Sequence, residues 1–453
     1  MEKRRKSVIA IILMFAFCLA ACTSESDRDV DSVSVDVASG DALSGAAADI
    51  SVVTPAPDGP PPGFKQEVGE KYVHGDEGYY NLEDDGITVN KRVQQGGTCW
   101  LFSAVATMET GCQRLHSKLI EIDPMPLLKP IYGDDKKEGY FIKGADAKNV
   151  GGLNFVVIDT LANGFGDGLV VDGSIDATEY TPEEIKKGIK KYGALNVGVP
   201  DTDPEKKGTF HGYSTINHVT DDPEDYDHAV SFVGWDDHFP RDYFKDPASQ
   251  DGAWIAYNSM SNDGYFYYSY DMDIAREWDK PSFICVTDEY SHVESYDVGN
   301  PLDTSIRTGK ETVVGNVFHK KGTLMAVGTY CLKKSQSIVI KIYDSKFKKC
   351  LYTQPAKMNH KGYHTILLDE PQEVEDFALV IRYTGAAPVE GDGWKKKKES
   401  IYRKTTSQKG QSFVLLDGEW KDLSDQETIW ELGCKFKPNN CNIKALYSLR
   451  RRV

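Results

Sequence analysis

The chain has 453 residues, with 53 Lys and Arg against 69 Asp and Glu, a net charge of −16 and a pI near 5.2. That balance argues against nucleic acid as a partner, because phosphate binding needs a basic face. The 40% hydrophobic and 11% aromatic content, with 24 tyrosines, suits a β-rich extracellular protein and excludes a wholly disordered one; at about 150 residues per domain, two or three domains are expected.

At the N-terminus, Lys3-Arg4-Arg5-Lys6 precede an apolar run from Ser7 to Leu19 that is too short for a comfortable membrane span. This reads as a targeting segment. Its end, Leu19-Ala20-Ala21-Cys22, resembles the bacterial lipobox, which implies removal of residues 1–21 and lipid attachment at Cys22. The alternatives are an ordinary signal peptide with an incidental cysteine and an uncleaved anchor. Residues 1–21 hold four basic and one acidic residue, so the mature charge is −19. Thr23 to Pro62 holds eight Asp or Glu, one Arg and no aromatic residue, and it ends Thr-Pro-Ala-Pro-Asp-Gly-Pro-Pro-Pro. Such a stretch buries too little apolar surface to offset its ordering entropy. Residues 22–64 are expected to be a disordered, acidic and Pro-rich tether that holds the folded part away from the membrane.

From Val93 to Glu109 the chain reads Val-Gln-Gln-Gly-Gly-Thr-Cys-Trp-Leu-Phe-Ser-Ala-Val-Ala-Thr-Met-Glu. A Gly-containing loop leads to Thr98. Leu101, Val105, Met108 and Cys112 then fall at i, i+4, i+7 and i+11, one face of a helix. Cys99 therefore belongs to the first turn of a buried helix, where unpaired N–H groups and the positive dipole end favour a nucleophilic thiolate. A cysteine in such a place is, by itself, more often a small core residue. Its neighbours change the reading.

Gln-Gly-Gly-Thr-Cys99-Trp-Leu-Phe-Ser resembles the nucleophile segment of papain-like cysteine peptidases. Asp227-His228-Ala-Val-Ser-Phe-Val-Gly-Trp235 is similar to that family's strand carrying the catalytic His. Trp254-Ile-Ala-Tyr-Asn258-Ser259, followed by Gly264-Tyr265-Phe266, is similar to the strand carrying the Asn. The three occur in the family's order over roughly 160 residues and are together far more specific than any one alone. The resemblance implies an α+β fold over residues 65–290, a two-lobed peptidase with a helical lobe and a β-barrel-like lobe. It also implies cysteine-type hydrolysis of a peptide or protein substrate without a cofactor. Cys99 is then the nucleophile, His228 the base that takes its proton and returns it to the leaving amine, and Asn258 the group that fixes the imidazole tautomer.

The oxyanion is expected to meet the backbone N–H of Cys99 and a glutamine side chain. The family glutamine lies six residues before the Cys; here Gln94 lies five before it and Gln95 four before it. Counting forward from Leu82 selects Gln94, whereas the Gln-Gly match favours Gln95; Gln94 is preferred, with Gln95 as the alternative. Gly151 and Gly152, in Asn149-Val-Gly-Gly-Leu-Asn154, match a family pair along the substrate cleft, where bare backbone pairs with an extended peptide. A tight turn before a helix is an equal reading.

Two departures stand out. Where the family reads Asn-Ser-Trp-Gly-x-x-Trp-Gly, this chain reads Asn258-Ser-Met260-Ser-Asn-Asp-Gly264, so both Trp rings are missing. With Met260 there, the His–Asn hydrogen bond is expected to be less screened from water and weaker. Asp236 to Phe244 reads as an insertion between His228 and Asn258. The acidic run Asp221 to Asp227 beside His228 points to basic residues in the substrate.

From about Ser291 the texture changes to short apolar runs between Gly, Asn and Lys-rich turns: Gly315–Phe318, Leu324–Gly328, Ile338–Tyr343, Gly362–Leu368, Phe377–Tyr383 and Gln411–Leu415. This spacing reads as an all-β sandwich over residues 291–453. It resembles the lectin-like domain of bacterial surface papain-like proteins, which by fold analogy makes a cell-surface glycan one partner to consider; packing on the peptidase or binding another protein is the other reading. Trp394 with Lys395 to Lys398 reads as a solvated loop. Apart from Cys18, Cys22 and Cys99, six cysteines remain. Cys331–Cys350 and Cys434–Cys441 are the disulfides that proximity suggests. No His, Cys or Asp spacing suggests a metal, and His360 and His364 are separated by a Gly that spoils a helix.

The sequence therefore reads as an extracytoplasmic cysteine endopeptidase anchored to a bacterial membrane through Cys22. The alternative is a catalytically weak surface lipoprotein that uses the C-terminal domain as an adhesin.

Overall fold

The computed structural model describes residues 71–449 other than 134, 136, 165–167, 202, 262–263, 276–278, 301–302, 392–394 and 397–400. The targeting segment, Cys22, the tether and most of the Trp394 to Lys398 run lie outside the described residues.

The expected helix runs Cys99–His116, but it is buried all round rather than on one face: every residue from Cys99 to Cys112 is covered. Its apolar side chains supply the core of a helical lobe with the helix Asn154–Ala162, where Leu101, Val105 and Met108 pack with Val157 and Leu161. Ala106 faces a second core made by strand residues Val197, Val230, Phe232 and Trp254. The helix thus stands between the two lobes. Three of its buried polar side chains, Ser103, Glu109 and Thr110, have partners, while the Thr107 hydroxyl has none among the described residues. Ser103 bonds Ser231 at 3.0 Å and Asn196 at 2.9 Å. Glu109 takes both guanidinium nitrogens of Arg92 at 2.8 and 2.9 Å.

Strands Leu195–Val199, His228–Asp236 and Ala253–Tyr257 are adjacent and antiparallel, and all three are buried on both faces. Their near-continuous apolar runs have that cause. Beyond Ala253–Tyr257 lie Phe266–Ser269, Tyr213–Ile216 and Lys207–Phe210. On the other side lie Ser282–Thr287 and Val170–Asp176. The insertion after His228 folds back on this sheet, and Phe239, Tyr243 and Phe244 form an aromatic cluster with Phe210.

All six expected C-terminal strands are present, extended to Glu311–Phe318, Gly322–Cys331, Gln336–Asp344, Gly362–Val374, Phe377–Thr384 and Ser412–Leu416. Cys350–Met358, Glu419–Asp422 and Ile443–Leu449 complete two sheets. Between them lies one core that includes Phe318, Leu324, Ile340, Phe377, Ile381 and Ile443. The sandwich is not a separate bead. One of its sheets continues into the sheet that carries His228, because Gly362–Val374 lies beside Val170–Asp176 with His364 opposite Gly173. A second weave joins Gly139–Ile142 to Ile401–Lys404.

The two proximity-based disulfides are not formed. Cys331 is buried in one sheet of the sandwich, whereas Cys350 is exposed at the start of a strand in the other. Cys441 is buried with its Sγ directed at the Phe413 carbonyl, and Cys434 stands apart after the helix Gln426–Leu432. Short separation along the chain did not bring either pair of sulfurs together.

Candidate active site

The Gly-containing loop delivers Cys99 to the helix start. Gly96 has φ of +66°, and a Cβ there would lie 2.4 Å from the Lys148 carbonyl oxygen, so only glycine lets the loop pass so closely. Gly97 N–H donates to the same carbonyl at 2.8 Å. Thr98 leaves the first-turn N–H groups without a side-chain cap, and no acidic residue occupies that turn. The positive end of the helix is therefore aimed at the site undiminished.

His228 opens its strand opposite Val199 and is 4% exposed. Its Nε2 lies 2.9 Å from Asn258 Oδ1, and Cys99 is near enough to act on the imidazole electrostatically. Burial alone would push the imidazole down. Cys99, the Asp201 carboxylate and the Asn258 bond outweigh burial and raise it to about 9. Asn258 is fully buried, and its Nδ2 donates to Asp201 Oδ2 at 2.7 Å and to Tyr268 Oη at 2.9 Å. Tyr268 in turn donates to Asp201 Oδ2 at 2.7 Å. A carboxylate can only accept, so Asp201 turns the Asn258 amide with its oxygen toward His228. The imidazole must then carry its proton on Nε2.

The two glutamines part company. Gln94 is 7% exposed; its N–H donates to the Ser259 carbonyl at 2.8 Å and its Oε1 accepts from Ser259 Oγ at 2.8 Å. It is thereby tied to the residue after Asn258, and its Nε2 donates to the Gly96 carbonyl at 2.7 Å. Gln95 is exposed and packs by its backbone on Thr98. Of the glycine pair, Gly152 is the structural one, since a Cβ there would lie 2.2 Å from the Trp100 ring; Gly151 has open space on that side. Gly152→Ala is expected to displace buried Trp100 beside Cys99, at a cost of about 1–3 kcal/mol. Thermal unfolding measures it, and an unchanged midpoint would show that the ring yields freely.

A family model described as "Lectin like domain" matches residues 296–446. No curated protein sequence matches the chain. Among solved structures, the clostridial cysteine protease Cwp84 after propeptide cleavage aligns with a TM-score of 0.67 at 16% identity, covering 82% of this chain and 99% of that one. The cysteine protease and lectin-like domains of Cwp84, a surface layer associated protein of Clostridium difficile, align with a TM-score of 0.67 at 17% identity, covering 83% and 90%. The fold is that of a papain-like cysteine peptidase joined to a lectin-like domain.

Met260 N–H donates to Asn258 Oδ1 at 3.0 Å, and Lys207 Nζ pairs with Asp201 Oδ1 at 2.8 Å. The weakened His–Asn bond expected from the sequence is not what the structure contains: at 2.9 Å and almost fully buried, it is screened by the surrounding chain. Asp201, Tyr268 and Lys207 were not found from the sequence. Asp201 stands two residues past Val199, which lies opposite His228; only the strand register reveals this.

Removal of the Asp201 charge takes away one of the contributions that raise His228. Asp201→Asn should therefore move the alkaline limb of kcat/KM to lower pH and reduce kcat by roughly 10-fold or more, as supporting-shell losses do. An unchanged pH profile would reduce Asp201 to a packing role.

Proposed function

We propose that the chain is an extracytoplasmic cysteine endopeptidase. The observation that carries this reading is a buried His228 held by Asn258 at 2.9 Å and placed where Cys99 helps raise its imidazole to about 9. The Cys99 thiolate attacks the peptide carbonyl carbon, and the developing oxyanion is met by the Cys99 N–H and Gln94. His228 gives its proton to the leaving amine as the C–N bond breaks. It then takes a proton from the water that releases the acyl group from sulfur. Gly151 offers backbone for an extended substrate. Asp221, Asp222, Glu224 and Asp227, all exposed, favour basic residues in that substrate. Lipid on Cys22 would anchor the enzyme at the membrane, and the lectin-like domain would hold it to surface glycan.

The test is cleavage of a mixed peptide library by the mature chain, with Cys99→Ser as control. Cleavage that needs Cys99 and prefers Lys-containing over Glu-containing peptides supports both parts. Equal cleavage of the two sinks the basic preference, and cleavage by the Cys99→Ser chain sinks the mechanism. The pH dependence adds a sign. The reactive pair needs imidazolium, so kcat/KM should hold as pH rises past 6.5 and fall through about 9. An alkaline limb near 6.5 would contradict the pairing.

A further inference from the structure

The far end of the nucleophile helix carries a second constellation. His116 is the helix's last residue, Asp172 lies on Val170–Asp176 and Cys285 on Ser282–Thr287. His116 Nε2 is 3.1 Å from Asp172 Oδ2, and the donor atoms of all three residues lie within 4.8 Å of one another. Among the described residues this is the only group of three or more His, Cys, Asp or Glu brought so close. Their separation in sequence left no spacing to read, so the expectation of no metal had no access to it.

The backbone is shaped for this convergence. Cys285 pairs with Gly173 and Val286 with Val171, so Asp172 is the extra residue of a β-bulge. A bulge re-aims a side chain that regular alternation would send elsewhere. Here it sends a carboxylate toward a buried sulfur, a meeting of two potential anions that a His–Asp pair alone does not explain. The Cys285 sulfur has only a long contact to the Val286 carbonyl, at 3.9 Å. His116 and Asp172 side chains are 38% and 31% exposed, which leaves a path for an ion and a position for water. Beside them, a cavity of about 220 Å³ is lined by Asp172 and Cys285 together with His360, Tyr363 and His364 from the sandwich.

We propose that His116, Asp172 and Cys285 bind a zinc-class divalent cation, with water in the fourth position. One nitrogen, one sulfur and one oxygen donor suit that class, whereas calcium and magnesium require oxygen ligands. The site is separate from the catalytic one, since an 18-residue helix at 1.5 Å per residue sets the two about 26 Å apart. Its ion would pin the helix end to the sheet where peptidase and sandwich meet.

The test uses the untagged mature chain carrying Cys99→Ser, because a Cys99–His228 pair would itself bind zinc. Equilibrium dialysis with Zn²⁺ should give one tightly bound ion per chain, and Co²⁺ should show sulfur-to-metal charge-transfer absorption. Adding Cys285→Ser should abolish that absorption. Adding His116→Ala, a change at a partly exposed helix end that leaves the core intact, should weaken Zn²⁺ at least ~10-fold. Saturating Zn²⁺ should raise the unfolding temperature of Cys99→Ser but not of the variant that also lacks His116. Absence of a stoichiometric ion in Cys99→Ser, or binding unchanged by His116→Ala, overturns the proposal.

Discussion

His228→Ala is expected to lower kcat/KM by at least ~10³-fold, and Cys99→Ser by a comparable factor, while the double variant loses little more. The two side chains act as one unit. Without the imidazole, the Cys99 sulfur has no partner that takes its proton or protonates the leaving amine, and the contribution that lifts His228 to about 9 has no counterpart. The fold should survive, since His228 lies at the first position of its strand and the Val230, Phe232 and Trp254 core is untouched. Progress curves on a cleaved peptide measure the effect. A loss under ~10-fold would assign the proton transfers to another group.

Lys444→Met is the largest stability effect expected. Lys444 is fully buried, and its Nζ donates to Asp297 Oδ2 at 2.7 Å, Asn163 Oδ1 at 2.9 Å and Ser295 Oγ at 3.1 Å. Asn163 caps the helix Asn154–Ala162, so this one ammonium group ties the peptidase to the last strand of the sandwich. Its removal leaves Asp297 as a buried charge whose remaining donor to Oδ2 is Asn442 Nδ2, at 2.9 Å. Breaking such a pair costs about 3–5 kcal/mol, whereas removing both charges costs far less. Lys444→Met should therefore lower the urea midpoint strongly, and Lys444→Met with Asp297→Asn should recover much of the loss. A single-variant cost below about 1 kcal/mol would show that water reaches the site.

The parts of this molecule that were legible in the sequence are local ones. Cys99, His228 and Asn258 sit in segments whose chemistry and packing are contiguous, and six of the C-terminal strands announced themselves by apolar runs between turns, whereas Cys350–Met358, Glu419–Asp422 and Ile443–Leu449 did not. What escaped is made by tertiary register. Asp201 reaches Asn258 because Val199 pairs with His228. The sheet runs on from peptidase to sandwich through Gly173 and His364, residues far apart in the chain. The helix Cys99–His116 read as one-faced from the spacing of Leu101, Val105, Met108 and Cys112, but Ser103, Glu109 and Thr110 are buried as well. Each finds a partner: Asn196 for Ser103, the partly exposed Arg92 for Glu109, and the Ala194 N–H for Thr110.

The most direct measurement of the central claim is covalent labelling of the mature chain by an epoxysuccinyl peptide, read as a mass shift on the Cys99 peptide. The account predicts one label per chain, lost in both Cys99→Ser and His228→Ala. Failure of the folded, reduced protein to label from pH 5 to pH 9, or labelling that persists without His228, would contradict an assembled Cys99–His228 pair.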